Sequence, residues 1–348
     1  MLSSTTMKMI LHVTQYVGFF GAQITNTTLL LLLFTRAKRL FGSYRHVMAV
    51  FAFYSLVYTW IEVITQPIMH IQGSMFIVMM DGPIQFSIDV GNKITCLYCG
   101  SFALCIALLG AQFFYRYMAV CKPDKLRLIE GRCLGLLFLP CIVVFVLWTS
   151  CVYFGMANTQ DKRDFMRVKI MSTYDEDLFK KSFIAAMYWT YGQNQERQFR
   201  FLDIMGLSGC TVLIVLCFLT IVFCALQVYW KMKDAENIMS AKTKELNRQL
   251  FVTLIFQTAL PFIMMYSPVG LILTLPIFEL DIGRMMNFCG ASAGTYPALE
   301  PLIAILFIRD FRRTVLCQRT KKCRISGINT FSQFSNSRTN ENTPSVFH

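Results

Sequence analysis

Seven stretches of this chain are each about as long as a bilayer is thick, which limits its fold more tightly than any motif it carries. A helix crossing the hydrocarbon core needs roughly 20 mainly apolar residues. Runs of that kind cover about 10–35, 47–69, 92–120, 133–155, 202–230, 251–276 and 285–308. In lipid each backbone N–H and C=O must be satisfied within the protein, so isolated runs of this length are helices. The expected fold is an all-α membrane protein, a seven-transmembrane helix bundle. Composition agrees, since only 15% of the residues are charged, against about 25% in a soluble domain. One membrane domain is expected over 1–325. The Ser-, Thr- and Asn-rich 326–348 has little to bury and is expected to be a disordered cytoplasmic tail.

Lys and Arg gather on one side. Arg36, Lys38, Arg39 and Arg45 follow the first run; Lys122, Lys125, Arg127 and Arg132 the third; Lys231, Lys233, Lys242, Lys244 and Arg248 the fifth; and Arg309, Arg312, Arg313 and Arg319 the seventh. The positive-inside rule makes these sides cytoplasmic and the N-terminus external. The loop 156–201 carries eight basic residues against that rule, but long loops obey it less strictly. The net charge of +13 is therefore read as charge flanking spans, with membrane lipids and not nucleic acid as its partner. The nine residues before the first run suit an uncleaved signal anchor. "MFIVMM" (Met75–Met80) is too short to span and is expected to cap the bundle or lie at the interface.

Nothing points to catalysis or a cofactor. There is no GxSxG elbow, phosphate-binding glycine loop or HExxH, and His12, His46, His70 and His348 are scattered. "CLYC" (Cys96–Cys99) is a lone CxxC, read as packing, and most of the thirteen cysteines read as small core residues.

Polar residues inside the spans say more, because a mid-membrane charge costs roughly 2.5 to 3.5 kcal/mol even on the lenient insertion scale. Asn26, Gln112, Gln257 and Glu300 fall roughly 10 to 14 Å from the inner face at about 1.5 Å per residue, and are expected to form one buried polar layer or to bond separately to nearby backbone. Glu62 lies higher, placed to line a cavity from outside. In "GASAGTYPALEPLIAILFIRDFRR" (Gly290–Arg313), Pro297 and Pro301 each remove a backbone hydrogen bond, and the small residues above let neighbouring helices approach. With Tyr296 and Glu300 they make a weak point, expected to act as a switch. Glu300 is expected to be ionised and paired, balanced by a cation, or protonated and donating. Beyond it, Ile308, Phe311 and Val315 share a face, so an amphipathic helix over about 309–320 is expected on the inner leaflet, with Cys317 and Cys323 placed for palmitoylation.

Three motifs in order carry a family resemblance: "LYCGSFALCIALLGAQFFYRYMAV" ending the third span, "LNRQLFVTLIFQTALPFIMMYSPVG" opening the sixth, and "YPALEPLIAILFIRDFRR" closing the seventh. The chain resembles, over essentially all of 1–325, the nematode serpentine chemoreceptors of the Str type, a branch of the G-protein-coupled receptors. The resemblance implies a chemosensory, odorant-type receptor for small environmental molecules, on the plasma membrane of sensory cilia, signalling through a heterotrimeric G protein. It places Arg116, between Tyr115 and Tyr117, where such receptors hold their G-protein-facing arginine. The acid that often precedes that arginine is replaced by Tyr115, so Glu245 is the expected inactive-state partner. "YPALEPL" departs from the family's usual Asp by Glu300. The loop 156–201 has no cysteine, which rules out the disulfide many such receptors make from it; Cys96 or Cys99 is left to pair elsewhere, for instance near Cys151, or to stay free.

A ligand lining is expected from Glu62, Tyr98, Phe102, Met264, Met265, Tyr266, Asn287 and Phe288, an aromatic and thioether set suited to a small, mostly apolar molecule. A seven-helix ligand-gated channel and a solute transporter are the alternatives. The chain lacks the repeated polar pore positions of the first and the broken helices in corresponding halves of the second.

Overall fold

The computed structural model describes residues 4–36, 41–234 and 241–316. Six helical segments are long and apolar enough to cross a membrane, and a bent pair supplies a seventh. The spans are α1 (Ser4–Thr35), α2 (Tyr44–Thr65), α3 (Ile88–Cys121), α4 (Leu139–Gly155, led in by a 3₁₀ stretch Gly131–Phe138), α6 (Phe201–Asp234), α7 with α8 (Ala241–Pro261 and Ser267–Thr274) and α9 (Asn287–Phe307). The second span ends at Thr65, short of the expected Met69, because Gln66 turns left-handed (φ 38°) and the chain leaves as a strand. Seen from the charge distribution, the N-terminal end of α1 is the outer end.

Close approach is built from glycine. A Cβ on Gly18 of α1 would lie 2.4 Å from the carbonyl oxygen of Gly294 in α9, so the first and seventh spans meet backbone to backbone. That is the packing the "GASAG" stretch allows.

Prolines interrupt the hydrogen-bond ladders of the sixth and seventh spans, the seventh staying helical throughout Asn287–Phe307, and in two places a neighbouring helix satisfies the freed carbonyl. Pro301 has no N–H for the carbonyl of Pro297, and Asn26 of α1 donates its Nδ2 to that oxygen at 2.9 Å. Pro268 likewise leaves the carbonyl of Met264 without its helical donor, and Ser292 Oγ of α9 donates to it. Between α7 and α8 the helix widens into a π turn, Phe262–Tyr266, just after Pro261, a common way for a helix to absorb a local mismatch.

The outer loops add structure that apolar-run length does not reveal. β1 (Pro67–Gln72), β2 (Met75–Met80) and β3 (Phe183–Met187) form an antiparallel sheet in that order. A helix from the long loop, α5 (Gln160–Tyr174), covers it. The "MFIVMM" run is the central strand β2, a cap as expected. Its unbroken apolarity follows from burial on both faces: Phe76 and Val78 face the bundle, while Met75, Ile77 and Met79 pack with Met166 and Ile170 of α5. A hairpin of β4 (Trp189–Tyr191) and β5 (Arg197–Phe199) completes the cover.

At the inner end the chain turns by 103° after α9 into the short helix α10 (Arg309–Val315). Ile308 and Phe311 are buried, Phe311 packing edge-on against Phe41 at 5.8 Å, while Val315 is exposed. The apolar face of α10 is therefore spent largely on the bundle and not on lipid. Cys317, Cys323 and the tail 326–348 lie outside the described residues.

Candidate functional site

Beneath the sheet, in the outer half of the bundle, lies a cavity of about 70 Å³. Its floor and walls include Tyr98, Cys99 and Phe102 of α3, Trp148 and Val152 of α4, Cys210 of α6, Ile272 of α8 and Ala293 of α9. Its roof is Met69, Phe76, Val78 and Ile184 from the three strands. The lining is aromatic, aliphatic and sulfur-bearing, and offers dispersion contacts with few polar groups.

Of the sequence-predicted lining, Tyr98 and Phe102 face this cavity. Tyr266 stands behind Phe102, ring to ring at 5.0 Å, with Met264 and Met265 also outside the lining. Phe288 is not part of it: it is 64% exposed on the face of α9 opposite Asn287 and Gly290, toward lipid. Asn287 is buried but tied to the cover, accepting from Met69 N at 2.9 Å and donating to the Tyr174 hydroxyl at 2.9 Å. Glu62 is buried behind Tyr98 beside Gly294, not against the cavity. The sequence reading missed the roof and Trp148. As a strand "MFIVMM" sets Phe76 and Val78 on one face, but the run is apolar throughout, so its sequence carries no alternation that could have found them.

The cover is held by polar ties. Lys162 of α5 and Asp203 at the start of α6 form an ion pair at 2.5 Å, both side chains almost wholly buried, and Lys162 also donates to the carbonyls of Ala157 and Ala185. Lys181, Lys8 and His12 surround Asp81 at 2.5, 3.8 and 3.3 Å. Burial alone would raise the Asp81 carboxyl, but hydrogen bonds from His12 and Lys181 and the ammonium charges outweigh it and hold it at about 2. His70 Nδ1 lies 3.2 Å from the Tyr174 hydroxyl. Burial, with Lys169 nearby, pushes the His70 imidazole down to about 4.

Deeper, Gln257 of α7 donates to Glu300 of α9, joining the sixth and seventh spans, and Asn26 joins the first to the seventh through Pro297. Gln112 is buried on α3, its Oε1 without a partner, as is Glu300 Oε2. Tyr296 is buried one turn above Glu300.

At the inner end Arg116 is buried under the Tyr44 ring, 5.4 Å from its centroid, and Tyr44 stacks on Tyr115 at 5.5 Å. Arg116 Nη2 donates to the carbonyl of Asn247 at 3.5 Å. The expected Arg116–Glu245 pair is not formed: Glu245 is exposed and accepts from Gln249 one turn along its own helix at 2.8 Å. The α7 register offers Arg116 a backbone carbonyl instead. Tyr117 packs against Phe223 at 5.8 Å. Cys96, Cys99 and Cys151 are free thiols.

The profile of one family, described as the serpentine-type seven-transmembrane G-protein-coupled chemoreceptor Str, matches residues 11–316. The chain is 36% identical over 296 residues to Caenorhabditis elegans serpentine receptor class r-10, covering 83% of this chain and 85% of that protein. To the Caenorhabditis briggsae serpentine receptor class r-10 it is 34% identical over 312 residues, covering 88% and 90%. To the C. elegans G-protein coupled receptor str-33 it is 23% identical over 301 residues, covering 85% and 86%.

Proposed function

The chain belongs to the Str family of serpentine seven-transmembrane chemoreceptors, and from that premise we propose that it takes a small, mostly apolar odorant-type molecule into the cavity beneath the sheet and signals through a heterotrimeric G protein at its inner face. As a member of that family it is a multi-pass membrane receptor with a chemosensory role, not an enzyme. The observation that carries the ligand class is the apolar lining of the 70 Å³ cavity under the strands. The site of action in this reading is the ciliary plasma membrane of a chemosensory neuron.

Signal passage in this reading runs from Tyr98 and Phe102 through the proline-broken sixth and seventh spans to Arg116. Glu300 is the switch, its contact with Gln257 being remade as the two spans move. Glu300→Gln keeps shape and the oxygen that accepts from Gln257, and should traffic and signal with a shifted threshold. Glu300→Ala leaves an amide unpaired, at about 1 to 3 kcal/mol, and should lose more; equal damage from both would mean a charged Glu300 is required.

The test of the whole reading is a panel of volatile molecules applied to cells expressing the receptor. Trp148→Ala and Phe102→Ala should blunt the response at matched surface expression, and blocking G-protein cycling should abolish it. A current that survives the block would make the protein a channel.

A further inference from the structure

A second hollow lies away from the covered cavity, on the bundle's side in its inner half. About 330 Å³ opens between α3, α4 and α6. Its floor is Ala107, Gly110 and Ala111, one small-residue strip of α3, and its walls include Leu137 and Cys141 on one side and Leu213 and Cys217 on the other. The void exists because those small side chains do not fill the gap. A Cβ on Gly110 would find nothing closer than Ile221 at 4.0 Å.

Two observations say what covers it. The rim residues Leu136 and Leu216 are exposed on helices that cross the membrane, so the mouth faces hydrocarbon and an apolar chain is what stands in front of it. The lower end leads to positive charge. Phe114, a lining residue, packs on Tyr117 at 6.3 Å, and Lys122 lies over the Tyr117 ring at 6.0 Å. Lys231 lies in the last turn of the neighbouring α6, near where Cys121 Sγ reaches the Gln227 carbonyl at 3.5 Å and ties the two helices together. Both lysines are exposed. Thr220 is the only hydroxyl among the described lining residues, so the polar recognition sits at the rim.

We propose that this crevice is a lipid site that seats one acyl chain of an anionic inner-leaflet phospholipid, with the phosphate on Lys122 and Lys231. An apolar slot ending in cations matches a molecule with a chain and a negative head, and basic residues beside inner-face helix ends attract such head groups. The lipid then bridges the third and fifth helices, filling space that would otherwise forfeit dispersion contacts. The site is independent of the odorant cavity.

The experiment reads retained lipid by native mass spectrometry on full-length receptor taken from bilayers of phosphatidylcholine alone, with phosphatidylserine, or with a sterol. Phosphatidylserine should be retained in preference to the neutral lipid. Lys122→Gln and Lys231→Gln should each lower retention roughly fivefold, the size of about 1 kcal/mol per basic residue near the surface. Gly110→Leu should fill the slot and abolish retention; Thr220→Trp blocks it from the exposed side and tests the same point should Gly110→Leu fold poorly. Equal retention of phosphatidylcholine and phosphatidylserine, preference for the sterol, or undiminished retention in Thr220→Trp would each overturn the proposal.

Discussion

The two ends of this bundle are held by different chemistry. At the outer end, strands, a covering helix and short ion pairs close over the cavity: Lys162 with Asp203, and Asp81 among Lys181, Lys8 and His12. At the inner end the central arginine is held by a ring face and one hydrogen bond of 3.5 Å to a carbonyl. Directional bonds to charged groups are stronger and cost more to leave unmade than a cation over a ring. The outer end is therefore the more firmly tied of the two.

Breaking the outer end should have the largest effect. Lys162→Met strands the buried Asp203 carboxylate, and loss of one member of a buried pair costs about 3 to 5 kcal/mol. The lower end of that range is expected, because Arg200 remains 3.3 Å from Asp203. Thermal unfolding in detergent should show it. Lys162→Met with Asp203→Asn keeps the acceptor for Met187 N and should recover most of the loss; no recovery would mean that the charge pair is not the cause.

Acid should strain the same end next. His70 sits at about 4 in the fold against 6.5 in the unfolded chain. Its neutral form is the folded one, so the contribution is complete above pH 6.5 and declines as pH falls, levelling below about 4. Lys169 and Arg284 push in that direction and Asp281 opposes them. Between pH 7 and 5 the loss should be about 2 kcal/mol, visible as faster amide exchange in β1. His70→Gln should flatten this pH dependence, and an equally steep profile in that variant would assign it elsewhere.

The inner end should respond more gently. Tyr44→Ala removes the ring over Arg116, worth about 1 kcal/mol, and should raise basal signalling roughly fivefold. Tyr44→Phe keeps the ring and should leave it unchanged. Glu245→Gln should do least, since among the described residues Glu245 bonds along its own helix and not to Arg116; a rise in basal signalling from it would restore the ion pair that the sequence suggested.

The same contrast explains what could be read in advance. The spans were legible because hydrocarbon imposes one length and one composition on each, and the freed carbonyl of Pro297 was legible because the missing donor of Pro301 is a property of the residue itself. The sheet was not, since β2 pairs with Phe183–Met187, about 100 residues on, and two-sided burial erases the alternation that marks a strand. The facing of Phe288 and the Arg116 partner depend on helix rotation and register, which a few residues of sequence spacing do not fix. The functions of Asn26 and Ser292 as donors to other helices' carbonyls were hidden for the same reason.

Those two donors place the remedy for each missing bond outside the helix that contains the proline. A carbonyl freed by proline inside a bundle has little water to turn to; here each is met by an amide or a hydroxyl from an adjacent span. The proline sites are therefore also ties between helices, so that the sixth and seventh spans are stitched to their neighbours at the points where their own ladders are weakest.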